Sequence, residues 1–302
     1  MTTLSLAVLL SLPAAALPAA PVRLGIPLPG YAGADNDLRR SARVDAAFPS
    51  ASGLFGDAVD PLAALAIGDE DLRDSLNSLP TSATLQTGLR DSSLSVRLEA
   101  VRAAAWPRHV EAVPHLSGVM LRLDQPSSLR AAAALALGRI GDGIAVSALA
   151  EALKDPSPDV RYAAALSLGR LPADGVATRL ERTLRSDPAW QPRYAAAIAL
   201  GRTRKPFAAD PLADALASDP AWQVRQQAAR SLQDLGTAHA AQALASALRD
   251  PEPSVRAAAG SGLAEIGGPE QRRAVVQALR EETEPSVRAV LAVAERRALS
   301  RS

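Results

Sequence analysis

The chain has 302 residues, of which 48% are hydrophobic but only 3% aromatic, and its formal net charge is +1. Near-neutrality excludes a global field that would gather nucleic acid or an anionic membrane surface. With no cysteine, disulfides, thiolate metal sites and cysteine nucleophiles are excluded together, while cytoplasm and an oxidising compartment both stay open.

In chain order, the first feature is the apolar, uncharged run LSLAVLLSLPAAAL over 4–17. It is shorter than the roughly 20 residues of a spanning helix. The run reads as the core of a secretory signal or leader over 1–20, with Ala14-Ala15-Ala16 as a cleavage candidate, although no Lys or Arg precedes it. Residues 21–56, rich in Pro, Gly and Ala, read as a tether, and PLAALAIGDEDLRDSLNS predicts a helical cap within 57–80. These readings place the chain outside the cytoplasm, in the periplasm or cell envelope; without the signal it would be cytoplasmic.

From 81 to 302 the text repeats. Arg97, Arg130, Arg161, Arg193, Arg225, Arg256 and Arg288 follow one another at intervals of 33, 31, 32, 32, 31 and 32 residues. Six positions before each stands an acid: Asp91, Asp124, Asp155, Asp187, Asp219, Asp250 and Glu282. Such a period is the mark of a repeat architecture. Each unit predicts two helices. The first is short, as in VSALAEALKD over 146–155, with leucines four apart on one face. After a turn, the second starts three residues before the arginine, where Pro158, Pro253 and Pro285 suit a first helical position. Gly138, Gly141, Gly169, Gly201, Gly236 and Gly267 either cap the second helix or let neighbouring helices approach. One such pair cannot bury both apolar faces, so seven must stack.

The pattern DPSPDVRYAAALSLG over 155–169 resembles the short HEAT repeats named after phycobilisome lyase subunits. That resemblance implies an all-α fold: a right-handed α-α superhelix, or HEAT-repeat solenoid, of about seven two-helix units. It implies little about function, because the families that share it include scaffolds, chromophore lyases and hydroxylases.

The acids and arginines recur in every unit, so they read as a structural ladder, pairing within or between repeats and satisfying helix ends. Function is expected where the units differ. Counted from each arginine, positions +1, +5 and +9 lie along one stripe of the second helix. In the second to fourth repeats that stripe carries Tyr162 and Tyr194 at +1, Leu135, Leu166 and Ile198 at +5, and Arg139, Arg170 and Arg202 at +9. Tyr and Arg around an apolar strip are enriched in protein-binding hot spots. At +9 the next two repeats turn acidic, with Asp234 and Glu265. Trp190 and Trp222, three before their arginines, read as seam-covering residues copied in a duplication, with partner anchoring as the alternative.

His109, His115 and His239 are scattered, and there is no H-E-x-x-H, P-loop, G-x-S-x-G or complete dinucleotide fingerprint. The series of His-Glu pairs by which HEAT-type hydroxylases hold iron is missing too. The expectation is a non-enzymatic scaffold or adaptor that binds a protein or peptide on its concave face, with no cofactor, no metal and no nucleic-acid partner. A chromophore lyase or tetrapyrrole carrier is the alternative, and a HEAT-type nucleic-acid-binding protein a more distant one.

Overall fold

The structure, a computed structural model, describes residues 82–105, 109–171 and 175–300. The expected leader, tether and cap, and Trp106, lie outside the described residues. Those described form helices and turns with no strand, in seven pairs. In order they are α1 Ser82–Leu89, α2 Leu94–Ala104, α3 Val113–Leu121, α4 Ser127–Ile140, α5 Val146–Ala152, α6 Pro158–Leu168 and α7 Ala177–Ser186. There follow α8 Trp190–Thr203, α9 Ala209–Ser218, α10 Trp222–Leu235, α11 Ala238–Ala247, α12 Pro253–Ile266, α13 Pro269–Glu281 and α14 Pro285–Ser300. Every second helix, the even-numbered set, begins three residues before its repeat arginine. The register read from the arginines is the register of the fold.

The even helices touch one another in unbroken succession from α2 to α14 and form one layer; the odd helices form the other, with sparser mutual contact. Small residues make the first layer close-packed. Ala133, Ala134 and Ala136 on α4, Ala164, Ala165 and Ser167 on α6, and Ala196, Ala197 and Ala199 on α8 are all buried. At Gly138 the approach reaches backbone distance, for an added Cβ would lie 2.5 Å from the Ser167 Cβ; at Gly169 it would lie 2.6 Å from the Ala199 Cα. Gly141 and Gly236 serve differently, ending α4 and α10 with φ of 78° and 62°. At the matching end of α8 the left-handed residue is Arg204.

Five arginines join consecutive repeats. Arg130 clasps Asp155 with two hydrogen bonds of 2.9 and 2.8 Å, and Arg161–Asp187, Arg193–Asp219, Arg225–Asp250 and Arg256–Glu282 repeat the geometry. From Arg161 onward the remaining Nη1 donates back to the carbonyl of the acid in its own repeat, as Arg193 does to Asp187 at 2.9 Å. Each carboxylate also accepts the N–H two residues on, such as Asp155 Oδ1 from Ser157. One acid therefore receives the preceding repeat and shapes the turn that starts the next helix.

The expected ladder is incomplete at its N-terminal end. Asp124 is exposed and held by Arg122, at 3.1 and 2.5 Å, rather than by Arg97. Arg97 keeps its bonds to the carbonyls of Asp91 and Ser92, and its Nε is buried without a partner. The interval from Arg97 to Arg130 is the longest of the six, at 33 residues. There α3 ends at Leu121 with Arg122 extended, and the acid swings outward. At the C-terminal end Arg288 bonds the carbonyls of Glu282 and Leu279.

At the last rung the Glu282 carboxyl is held down from an ordinary 4.5 to about 2. Hydrogen bonds from Arg256 are the main cause, helped by the backbone N–H of Glu284 and Thr283 and opposed by burial. A depressed carboxyl stabilises the fold above its unfolded value and releases that stability as pH falls through the folded one. The rung is therefore expected to be fully effective above about pH 5 and to fade towards pH 2. Glu282→Gln should lower the neutral-pH urea midpoint and flatten its fall over that interval, which urea titrations at several pH values would record.

Candidate functional site

The +1, +5 and +9 stripe lies on the even-helix layer, but close packing covers part of it. Leu135 and Leu166 are only 1% and 5% exposed, inside the hydrophobic core, and so do not belong to a contact surface. Tyr162, at 8%, is buried as well. The small residues of α4, α6 and α8 bring the backbones so near that the next helix closes over +5 in the second and third repeats. The stripe opens in the fourth and fifth repeats: Tyr194 and Ile198 are half-buried at the core's edge, and Gln226 and Arg230 on α10 are half-buried too. Gln226 donates to the Ser254 carbonyl at 3.4 Å, so a +1 side chain reaches over the start of the following even helix.

At +9, Arg170 and Arg202 are exposed and Arg139 half-buried. Each follows its +8 glycine, where the helices come closest, so the three arginines stand at the same register on adjacent helices. Although the Arg170 side chain reaches solvent, partial burial of its guanidinium by the packed layer beneath it, and then the charges of Arg202 and Arg139, push it below the ordinary arginine range, with Tyr162 acting the other way. For charges about 9 Å apart, as on packed helices, the repulsion runs from about 0.5 kcal/mol in water to about 2 kcal/mol at an effective dielectric of 20. Further along the layer stand Asp234 and Glu265, and Arg297 approaches Glu265 to 3.9 Å.

Trp190 meets Tyr194 edge-on, with ring centroids 6.2 Å apart and an interplanar angle of 84°. Trp190 packs against the core, as expected of a seam residue, whereas Trp222 is 37% exposed. The histidines do not converge: His109 is buried against the Ala104 carbonyl, His115 faces Ser82, and His239 lies 3.3 Å from Asp210. Among the described residues no three His, Asp or Glu side chains are grouped as a metal would need. No described helix is long and apolar enough to cross a membrane.

Helix pairs in fixed register, tied by a recurring buried ion pair and resting on their immediate neighbours, define an all-α solenoid. Its unit has a known family: the family model for HEAT repeats matches residues 119–201 and 209–294, and the chain belongs to the HEAT-repeat proteins. Among solved structures it is similar to YibA of Escherichia coli, at 17% identity over 78% of this chain and 98% of that one, with a TM-score of 0.50. It is also similar to the complex of CpcE and CpcF of phycocyanin lyase from Nostoc, at 23% identity over 72% and 95%, TM-score 0.46. Human deoxyhypusine hydroxylase in complex with glycerol shares 22% identity over 88% and 99%, TM-score 0.39. No curated protein matches the chain. At these identities the likeness extends to the fold alone.

Sequence reasoning did not foresee that the +8 glycines and the +9 arginines occupy the same three repeats. The signal was present, because Gly138-Arg139, Gly169-Arg170 and Gly201-Arg202 are one dipeptide repeated in register.

Proposed function

We propose that the chain is a non-enzymatic scaffold that binds a protein or peptide on its even-helix layer, around the second to fourth repeats. The observation that supports it is the crowding of Arg139, Arg170 and Arg202 beside the half-buried Tyr194 and Ile198. Arginines carried in register on three adjacent helices offer a partner charge-assisted contacts. Tyr next to an apolar side chain also supplies contact area with little rotamer entropy to lose, and Arg is enriched at binding hot spots. On the reading of residues 1–20 as a secretory signal, the scaffold works outside the cytoplasm; activity of alkaline phosphatase fused after residue 56 checks that location.

Tyr194→Ala combined with Arg170→Glu is expected to reduce capture of the native partner from host extract by at least tenfold. Helicity should hardly change, and stability should fall only modestly, by about 0.5–1.5 kcal/mol, through the lost Trp190 edge contact and the lost burial of a half-exposed ring. Undiminished capture would refute the face. A visible absorption band in the protein purified from its own host would replace the scaffold reading with that of a pigment carrier.

A further inference from the structure

Two tryptophans stand in register at one edge of the even-helix layer. Three residues before the repeat arginine, the fourth and fifth units carry Trp190 and Trp222, where the units on either side have Pro158 and Pro253. This position is four before +1, so each indole extends the stripe by one helical turn. The Arg193–Asp219 rung ties the first turn of α8 to the turn ahead of α10. Near the other end of the pair, an added Cβ on Gly201 would lie 2.6 Å from the Ser231 Cβ. The two helices therefore run side by side, which sets the indoles about 8–10 Å apart.

Trp222 is exposed, while Trp190 packs against the core with Tyr194 edge-on to it. Neither indole N–H is hydrogen-bonded among the described residues. An indole nitrogen only donates, so each needs an acceptor from outside. Tyr194 and Gln226, one turn further along the stripe, are uncharged as well. A charged peptide or a nucleic-acid backbone finds no counter-charge among these four side chains. A sugar would need open ring faces, and the packing of Trp190 leaves it an edge.

Resting on the partner-binding face proposed above, from which it takes Tyr194, we propose that Trp190 and Trp222 dock a proline-rich segment of the partner in the polyproline II conformation. That conformation rises about 3.1 Å per residue with three residues per turn, so every third residue lies on one side about 9 Å from the last. The step matches the spacing of α8 and α10, and a Pro-x-x-Pro segment crossing them sets one proline against each tryptophan. Its backbone makes no internal hydrogen bonds, so its carbonyls are open to the two indole donors. The prolines, having no N–H, bring no competing donor. Such a segment is already extended before it binds and loses little entropy on an aromatic surface.

The test uses the full chain and fluorescein-labelled peptides of twelve residues read by anisotropy. One repeats Pro-Ala-Ala, which places a proline at every third residue; a second repeats Pro-Ala-Ala-Ala, which breaks the step. The first is expected to bind at least ten times more tightly than the second. Trp222→Ala should weaken the first at least tenfold, while Phe207→Ala, in the exposed turn before α9, leaves it unchanged. Helicity at 222 nm checks that each variant is folded. Should Trp222→Ala unfold, Trp222→Phe, which keeps a ring but has no N–H, is expected to weaken binding several-fold. Equal affinity for the two peptides, or indifference to both Trp222 variants, overturns the dock. Tighter binding of chitohexaose than of Pro-Ala-Ala, read by tryptophan emission, overturns it in favour of a sugar. If the dock fails while Tyr194→Ala with Arg170→Glu still reduces capture, the face stands with a partner of other chemistry; if both fail, the face is wrong.

Discussion

Asp219→Ala is expected to destabilise the stack by about 3–5 kcal/mol, the range for leaving a buried charge without its counterion. Both members of this rung are about 8% exposed, and Arg193 reaches Asp219 through two hydrogen bonds of 2.8 and 2.9 Å. Removing the carboxylate strands the guanidinium in the seam between α8 and α10, and it also deprives the Ala221 N–H of its acceptor in the turn. The double variant Arg193→Leu with Asp219→Leu should cost less than Asp219→Ala alone, because no charge is left buried. Urea unfolding followed at 222 nm measures both. Asp124→Ala is the comparison: that carboxylate lies on the surface with Arg122, and its removal should leave the midpoint where it was. If Asp219→Ala and Asp124→Ala shift the midpoint equally, the ladder does not hold the repeats together. In a stack where each unit touches only its neighbours, a broken central rung should also split the transition, the repeats on either side melting separately.

Gly138→Ala should destabilise by about 1–3 kcal/mol, the usual cost of overpacking, and more than offset alanine's helix advantage of about 1 kcal/mol. The new methyl would sit 2.5 Å from both Cβ and Oγ of Ser167 and 2.8 Å from its Cα. Rotating the serine does not relieve the Cβ contact, so α6 must move away from α4. Ser167 then loses its 2.8 Å hydrogen bond to the Ala134 carbonyl, in a place where the serine is fully buried. Gly118→Ala is the opposite case: on the exposed face of α3 nothing lies within 4 Å of the added carbon, and a gain of about 1 kcal/mol is expected. Thermal melts of the two variants should move in opposite directions, and a stabilising Gly138→Ala would refute the close approach.

The sequence carried the fold through features that recur. Arginine spacing set the start of all seven even helices, and the proline positions agreed, because a rung and a helix start are built from the same few residues. Face assignment was less legible. Leu166 and Arg170 look equally available on a helical projection, yet one is in the core and the other in solvent. What separates them is the closeness of the next helix, a property of Gly169 and Ala199 read together across 30 residues rather than of the stripe itself. The defective rung was hidden for a related reason. Asp124 keeps its place six before Arg130, but one added residue in the preceding interval turns it outward, and Arg122 captures it before Arg97 can. Arg139, Arg170 and Arg202 were legible because long charged side chains at +9 escape closure of the seam.

Every intact rung runs in one direction, with the guanidinium supplied by the earlier unit and the carboxylate by the later. Copy number is therefore free to vary. Excising residues 193–224, one interval of 32, would bring Arg225 to the place of Arg193 with Asp250 still ahead of it and Asp187 behind. The near-duplicates DPAWQPR and DPAWQVR, which flank that interval, are what recent copying of such a module would leave. Gene duplication can lengthen or shorten this molecule by whole units without redesigning a joint, and each added unit brings one more variable +9 side chain for selection to choose.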